Sequence, residues 1–107
     1  MLVDARTYTI KPGCTPAQLK VYEELAFPVQ LKYMGAPLCY LQAETGELNT
    51  LLHCWVYESA GDREQKRAAM MKDPGWQKYL TANRENGYII GQRNSLMTPV
   101  SFAPIKR

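Results

Sequence analysis

The stretch PLCYLQAETGELNTLLHCWVYE, residues 37–58, decides how the chain is read. It holds two alternating runs, Pro37 to Glu44 and Leu48 to Glu58, around Thr45-Gly46-Glu47. Alternation with period two, rich in β-branched and aromatic residues, is the pattern of a half-buried strand. Gly46 as first central residue suits a two-residue type II′ turn with Glu47 second; a longer, bulged loop is the alternative. The tight turn sets Cys39 opposite Cys54, Tyr40 opposite His53, Leu41 opposite Leu52 and Gln42 opposite Leu51. One face then carries Cys39, Leu41, Ala43, Leu52, Cys54 and Val56. The other carries Tyr40, Gln42, His53, Trp55 and Tyr57. A slip of one residue would mix these two sets, so the clean sorting supports the register.

Working outward, Leu2 to Ile10 alternates as well, with Val3, Ala5, Thr7 and Thr9 on one face and Asp4, Arg6, Tyr8 and Ile10 on the other. Lys11-Pro12-Gly13 ends that strand. Thr15 is placed to cap a helix, with Pro16 at its first position and Gln18 completing a capping box. Leu19, Tyr22, Leu25, Ala26, Val29 and Tyr33 form one apolar stripe along it. Pro28 predicts a kink and Gly35 a stop. After the hairpin, Ser59 caps a helix reaching about Lys72, with Asp62 three residues on. Asp73 and Pro74 start another, where Trp76, Tyr79 and Leu80 recur at helical spacing and Asn86-Gly87 ends the run. Tyr88 to Met97 reads as a fourth strand closed by Thr98-Pro99, and residues 99–107 as an extended tail. The order β-α-β-β-α-β predicts an α+β, ferredoxin-like fold with a four-stranded antiparallel sheet. Helices cover one sheet face; the other is bare in a monomer.

A chain of 107 residues is one domain. The net charge is +3, but two of those charges are Lys106 and Arg107, so no clustered basic face for nucleic acid is implied. No apolar run reaches the roughly 18 residues of a membrane span. Asp4 and Arg6 interrupt the N-terminus where a signal peptide needs an apolar core. Three cysteines without that signal point to reduced thiols in the cytoplasm, although Cys39 and Cys54 are expected to face each other. Single His53 and the cysteine spacing give no metal site.

Asp4-Ala5-Arg6-Thr7-Tyr8-Thr9-Ile10-Lys11-Pro12-Gly13, Gly46-Glu47-Leu48-Asn49, His53-Cys54-Trp55-Val56-Tyr57, Asp62-Arg63, Asp73-Pro74-Gly75-Trp76-Gln77-Lys78-Tyr79 and the closing Pro99 and Phe102-Ala103-Pro104 follow one another at telling intervals. In these residues the chain resembles the NIPSNAP family, a branch of the dimeric α+β barrel superfamily. The resemblance implies ferredoxin-like domains whose sheets pair face to face across a twofold. Eukaryotic members are linked to mitochondria and vesicle traffic. Neither their N-terminal targeting extension nor their second repeat is expected for this chain, and a bacterial, cytoplasmic, single-domain protein is the expected setting.

The bare sheet face is the expected site, with Asp4, Arg6 and Tyr8 beside Tyr40, Gln42, His53, Trp55 and Tyr57. A pocket between two copies would have aromatic walls and a few convergent polar groups. Arg6 would hold an anionic or carbonyl group. His53 would be a general acid or base, and Tyr8 or Tyr57 would donate to a developing oxyanion. The same residues also describe an oligomer interface, with Arg6 pairing Asp4 and Trp55 packing. Arg63, Lys66 and Arg67 beside Glu64 read as a solvated helix face. No phosphate loop, Rossmann fingerprint or nucleophile elbow is present, so no cofactor is expected unless it binds without a recognisable motif. The expected function is a homodimer that binds a small aromatic or anionic molecule. The alternatives are a cofactor-independent enzyme, monooxygenase- or isomerase-like, using His53, Arg6 and Tyr8, and a structural module without ligand.

Overall fold

In the computed structural model, which describes residues 1–106, the elements run β1 (Leu2–Ile10), α1 (Thr15–Val21), a π-helical turn (Tyr22–Ala26), α2 (Phe27–Met34), β2 (Cys39–Gln42), β3 (Thr50–Tyr57), α3 (Ala60–Met71), α4 (Pro74–Asn86) and β4 (Ile89–Met97). The sheet is ordered β2-β3-β1-β4 and every pair is antiparallel. This is the ferredoxin-like arrangement expected from the sequence.

The hairpin register is the expected one: Cys39 faces Cys54, Tyr40 faces His53, Leu41 faces Leu52 and Gln42 faces Leu51. The connection is the longer loop rather than the two-residue turn. Regular pairing stops at Gln42 and resumes at Thr50, with a last rung from the Ala43 N–H to the Thr50 carbonyl at 3.0 Å. Two residues in the loop have positive φ, Gly46 at 80° and Asn49 at 64°. The Asn49 carbonyl accepts from the Ile10 N–H at 2.7 Å, which ties the loop to β1.

The first helix also departs from expectation. Cys14, not Thr15, is the N-cap residue, and no side chain caps it. Gln18 is drawn inward instead, where its Nε2 donates to the Tyr79 hydroxyl at 3.1 Å. At Pro28 the chain does not simply kink. The Phe27 N–H reaches back to the Tyr22 carbonyl, a π-type turn, so Pro28 falls in the first turn of α2, where a missing N–H costs little. The other two starts form as read. Ser59 Oγ accepts from the Asp62 N–H at 3.1 Å while Asp62 accepts from the Glu58 N–H at 3.0 Å. Asp73 Oδ1 accepts from the Gly75 N–H at 2.7 Å. A Cβ on Gly75 would lie 3.0 Å from Val29 Cγ2, so α4 meets α2 there through a glycine.

The two sheet faces are the reverse of the expectation. The aromatic and polar face lies under the helices. Leu51, His53, Trp55 and Tyr57 of β3 are all buried, and so are Asp4 and Ile10 of β1. Trp55 and Tyr57 pack with Tyr22, Ala26, Met34, Met70, Trp76 and Tyr79 from the helices to form the core. The uncovered face carries the small and aliphatic set, Val3, Ala5, Cys39, Leu41, Cys54 and Val56, with Leu41 52% exposed. The cause is that the polar atoms on the aromatic face bond one another, so burial leaves few of them unsatisfied. Large helix side chains such as Tyr22 and Trp76 also need large partners, which the small face lacks. Cys39 and Cys54 are free thiols on the uncovered face. Burial and the neighbouring Cys39 thiol push Cys54 up to about 11. After β4 the chain turns at Val100, whose carbonyl accepts from the Ala103 N–H at 3.1 Å. Of the tail expected to be extended, Arg107 lies outside the described residues.

Candidate functional site

Asp4 anchors the site. Its side chain is fully buried, and three donors from three elements reach it. They are Arg6 Nη1 of β1 at 3.1 Å, Arg63 Nε of α3 at 3.0 Å and Asn94 Nδ2 of β4 at 3.1 Å. Burial alone would raise the Asp4 carboxyl. The Asn94 hydrogen bond and the Arg6 and Arg63 charges outweigh it and hold the group below its ordinary value. Arg6 is fixed at its other edge too, since its Nε donates to the Tyr8 hydroxyl at 3.3 Å.

His53 sits beside this network on β3 and is 2% exposed. Its ring stacks on Tyr40, centroids 4.5 Å apart and planes within 6°, and meets the edge of Tyr8 at 4.8 Å. Trp55 Nε1 donates to His53 Nδ1 at 2.7 Å. Burial and the nearby Arg6 charge lower His53 to about 4, against a weaker opposing pull from Asp4. Its Nε2 has no hydrogen-bond partner among the described residues.

A cavity of about 320 Å³ opens over Arg6, Tyr8 and His53, closed on the helix side by Arg67 of α3 and Tyr79 and Asn83 of α4. Arg6, Tyr8 and His53, expected on a bare face between two sheets, lie instead inside a single chain, between sheet and helices. Of the residues read as the site, these three line the cavity. Asp4 and Trp55 hold those three from behind. Tyr40 backs the His53 ring and lines a shallower groove of about 260 Å³ with Tyr22 and Phe27. Gln42 and Tyr57 stand apart: Gln42 is exposed at the end of β2, and the Tyr57 hydroxyl donates to Met34 Sδ at 3.4 Å. The face read as solvated, Arg63, Lys66 and Arg67, is instead divided. Lys66 pairs with Asp62 at 3.1 Å, but Arg63 reaches Asp4 and Arg67 lines the cavity. The sequence signal for this was Asp4 itself, an acid on a strand face that needed more cations than Arg6.

A family model described as NIPSNAP matches residues 3–104. The human Protein NipSnap homolog 3B is 39% identical over 64 residues, which make up 59% of this chain and 25% of that protein. The Protein NipSnap homolog of Dictyostelium discoideum is 31% identical over 83 residues, 78% of this chain and 36% of that protein. The matched regions thus span well under half the length of these curated relatives. Among solved structures, a NIPSNAP family protein with unknown function from Agrobacterium tumefaciens is 35% identical with a TM-score of 0.90, covering 99% of this chain and 94% of that one. A NIPSNAP domain protein from Burkholderia xenovorans is 28% identical with a TM-score of 0.89, covering 98% and 100%. A protein from Nitrosomonas europaea, named as a candidate antibiotic biosynthesis monooxygenase, shares the fold alone, at 11% identity and a TM-score of 0.66 over 94% of this chain and 99% of that one.

Proposed function

The chain belongs to the NIPSNAP family, and from that premise we propose that it binds a small aromatic or anionic molecule in the cavity between sheet and helices, as a cytoplasmic homodimer joined through the uncovered sheet face. The observation that carries the reading is the cavity itself, where Arg6 and Arg67 stand among the aromatic side chains of Tyr8, Trp76 and Tyr79 and no carboxylate is among the described lining residues. Aromatic walls with a few fixed polar groups are the usual make-up of a small-molecule site. The dimer reading rests on the apolar side chains left in water. Leu41 and Met97 on the uncovered face, with Val100 and Phe102 just beyond β4, are each more than half exposed, and Phe102 is 89% exposed.

Native mass spectrometry of the purified protein tests both parts. A dimer mass carrying a small organic molecule is expected, and an Arg6→Met variant should lose about nine-tenths of that occupancy, the effect of one charge-assisted contact. Leu41→Lys should give monomers with the occupancy per chain unchanged, because each cavity is built from one chain. An empty protein, or full occupancy in the Arg6 variant, would sink the binding reading. A monomeric wild type would sink the dimer.

A further inference from the structure

Cys39 opens β2 and faces Cys54 of β3 directly across the ladder. Both are free thiols, half-buried, and alternation puts both on the uncovered sheet face. Cys54 lies in an inner strand paired on both sides, so what it exposes is the face that its thiol occupies. The row continues to Ala5 of β1 and Ser95 of β4, so small side chains flank the pair on that side. Directly paired residues of antiparallel strands have Cα atoms about 4.5–5.5 Å apart, inside the roughly 4.4–6.8 Å that a disulfide spans. Their Cβ atoms stand about 4.5–5.5 Å apart, whereas a relaxed disulfide needs about 3.5–4.5 Å. A bond here therefore draws the strands together, and strained bonds are the readily reduced ones. β2 can yield to that pull. It is an edge strand of four residues, and its entry is already irregular: the Leu38 N–H donates to the Cys54 carbonyl at 2.8 Å, one residue out of the pairing register. The third cysteine, Cys14, precedes α1 and belongs to no strand.

We propose that Cys39 and Cys54 form a reversible dithiol–disulfide site, closed by a small disulfide of the oxidised-glutathione type and reopened by a dithiol. One cysteine thiolate attacks a sulfur of the small disulfide and releases its other half as a thiolate. The second cysteine thiolate then attacks the cysteine sulfur of that mixed disulfide and releases the remaining half. The chain loses two thiol hydrogens, which end on the two released thiols, so the chain is oxidised and the small disulfide reduced. Where thiols are kept reduced, bonds of this kind are transient and report redox state. Closure needs neither the cavity nor a molecule bound in it.

The test exposes the reduced protein to oxidised glutathione in mildly alkaline buffer, because burial and the Cys39 thiol push Cys54 up to about 11 and the thiolate is the attacking form. Remaining thiols are blocked, and the digested chain is read by mass spectrometry. A peptide link between Cys39 and Cys54 is expected, with both of their free thiols lost and Cys14 left as a thiol or a glutathione adduct. Dithiothreitol should restore both thiols. Cys54→Ser should stop at the mixed disulfide, with glutathione retained on Cys39. In urea the same treatment should scatter links among all three cysteines, which separates pairing by the fold from mere reactivity. Leu41→Lys, next to Cys39 on the same face, keeps that face in water and should close the link at least as fast as the wild type. A slower wild type supports the pair and reports its shielding by a second copy. Glutathione retained on both Cys39 and Cys54 of the folded chain would overturn the proposal. So would links through Cys14 or between two chains in the folded protein, or no link in either the wild type or Leu41→Lys. None of these outcomes bears on what the cavity binds.

Discussion

Replacing Asp4 by asparagine is expected to lower the unfolding free energy by about 3–5 kcal/mol, the usual cost of breaking one partner of a buried charge network. The size of the effect follows from what Asp4 holds. Arg6, Arg63 and Asn94 all donate to it, and its side chain has no contact with solvent. An amide offers one acceptor oxygen and turns two hydrogens toward those donors. It also leaves two guanidinium groups without their buried counter-charge. The change is shape-conserving, so lost packing does not account for it. Urea unfolding followed by tryptophan fluorescence measures it, and a loss below about 1 kcal/mol would show that the network is solvated and weak. The pH dependence has a defined sign. The folded carboxyl titrates below its ordinary value of 3.8, so its contribution is complete above that value and is lost as pH falls through the lowered one. Because Arg63 ties α3 to β1 through this carboxylate, the variant should also loosen the roof of the cavity.

The same carboxylate shows how far the sequence could be read. Strand order, hairpin register and the Ser59 and Asp73 caps are all written in local patterns, and local patterns survive folding. Which sheet face the helices cover is not local. Alternation tells that Tyr40, His53, Trp55 and Tyr57 share a side, and that Cys39, Leu41, Cys54 and Val56 share the other, but it is symmetric between them. The usual tie-breaker, polar side out, pointed the wrong way because the polar atoms are paired among themselves. Trp55 bonds His53, and Asp4 bonds Arg6 and Arg63. That pairing joins residues 59 positions apart in the case of Asp4 and Arg63, beyond the reach of any periodicity. The Thr15–Gln18 box failed for a related reason, since Gln18 found a longer-range partner in Tyr79.

Between pH 7 and pH 4 the protein is expected to lose about 3 kcal/mol of stability through His53 alone. Its ordinary value is 6.5 and the folded chain lowers it to about 4, chiefly by burial. Each unit of difference is worth about 1.4 kcal/mol. The sign follows from proton counts: in that window the unfolded chain carries the proton on His53 and the folded chain does not. Stability is therefore full above about 6.5, falls as the medium is acidified, and stops falling from this cause below about 4. Other carboxylates also titrate at the lower end, so the quantity to read is the difference between the wild type and His53→Phe. Urea midpoints taken across that range should show a steeper slope for the wild type, and the two curves should run parallel once Asp4 begins to titrate at lower pH. The phenyl ring keeps the stack with Tyr40 but strands the Trp55 N–H, which costs about 1–3 kcal/mol at every pH and so offsets the curve without changing its slope. A proton NMR titration of the single imidazole supplies the independent check, with a midpoint near 4 expected. A midpoint near 6.5 with parallel slopes would mean that His53 is solvated in the folded chain and that its burial contributes nothing to the pH dependence.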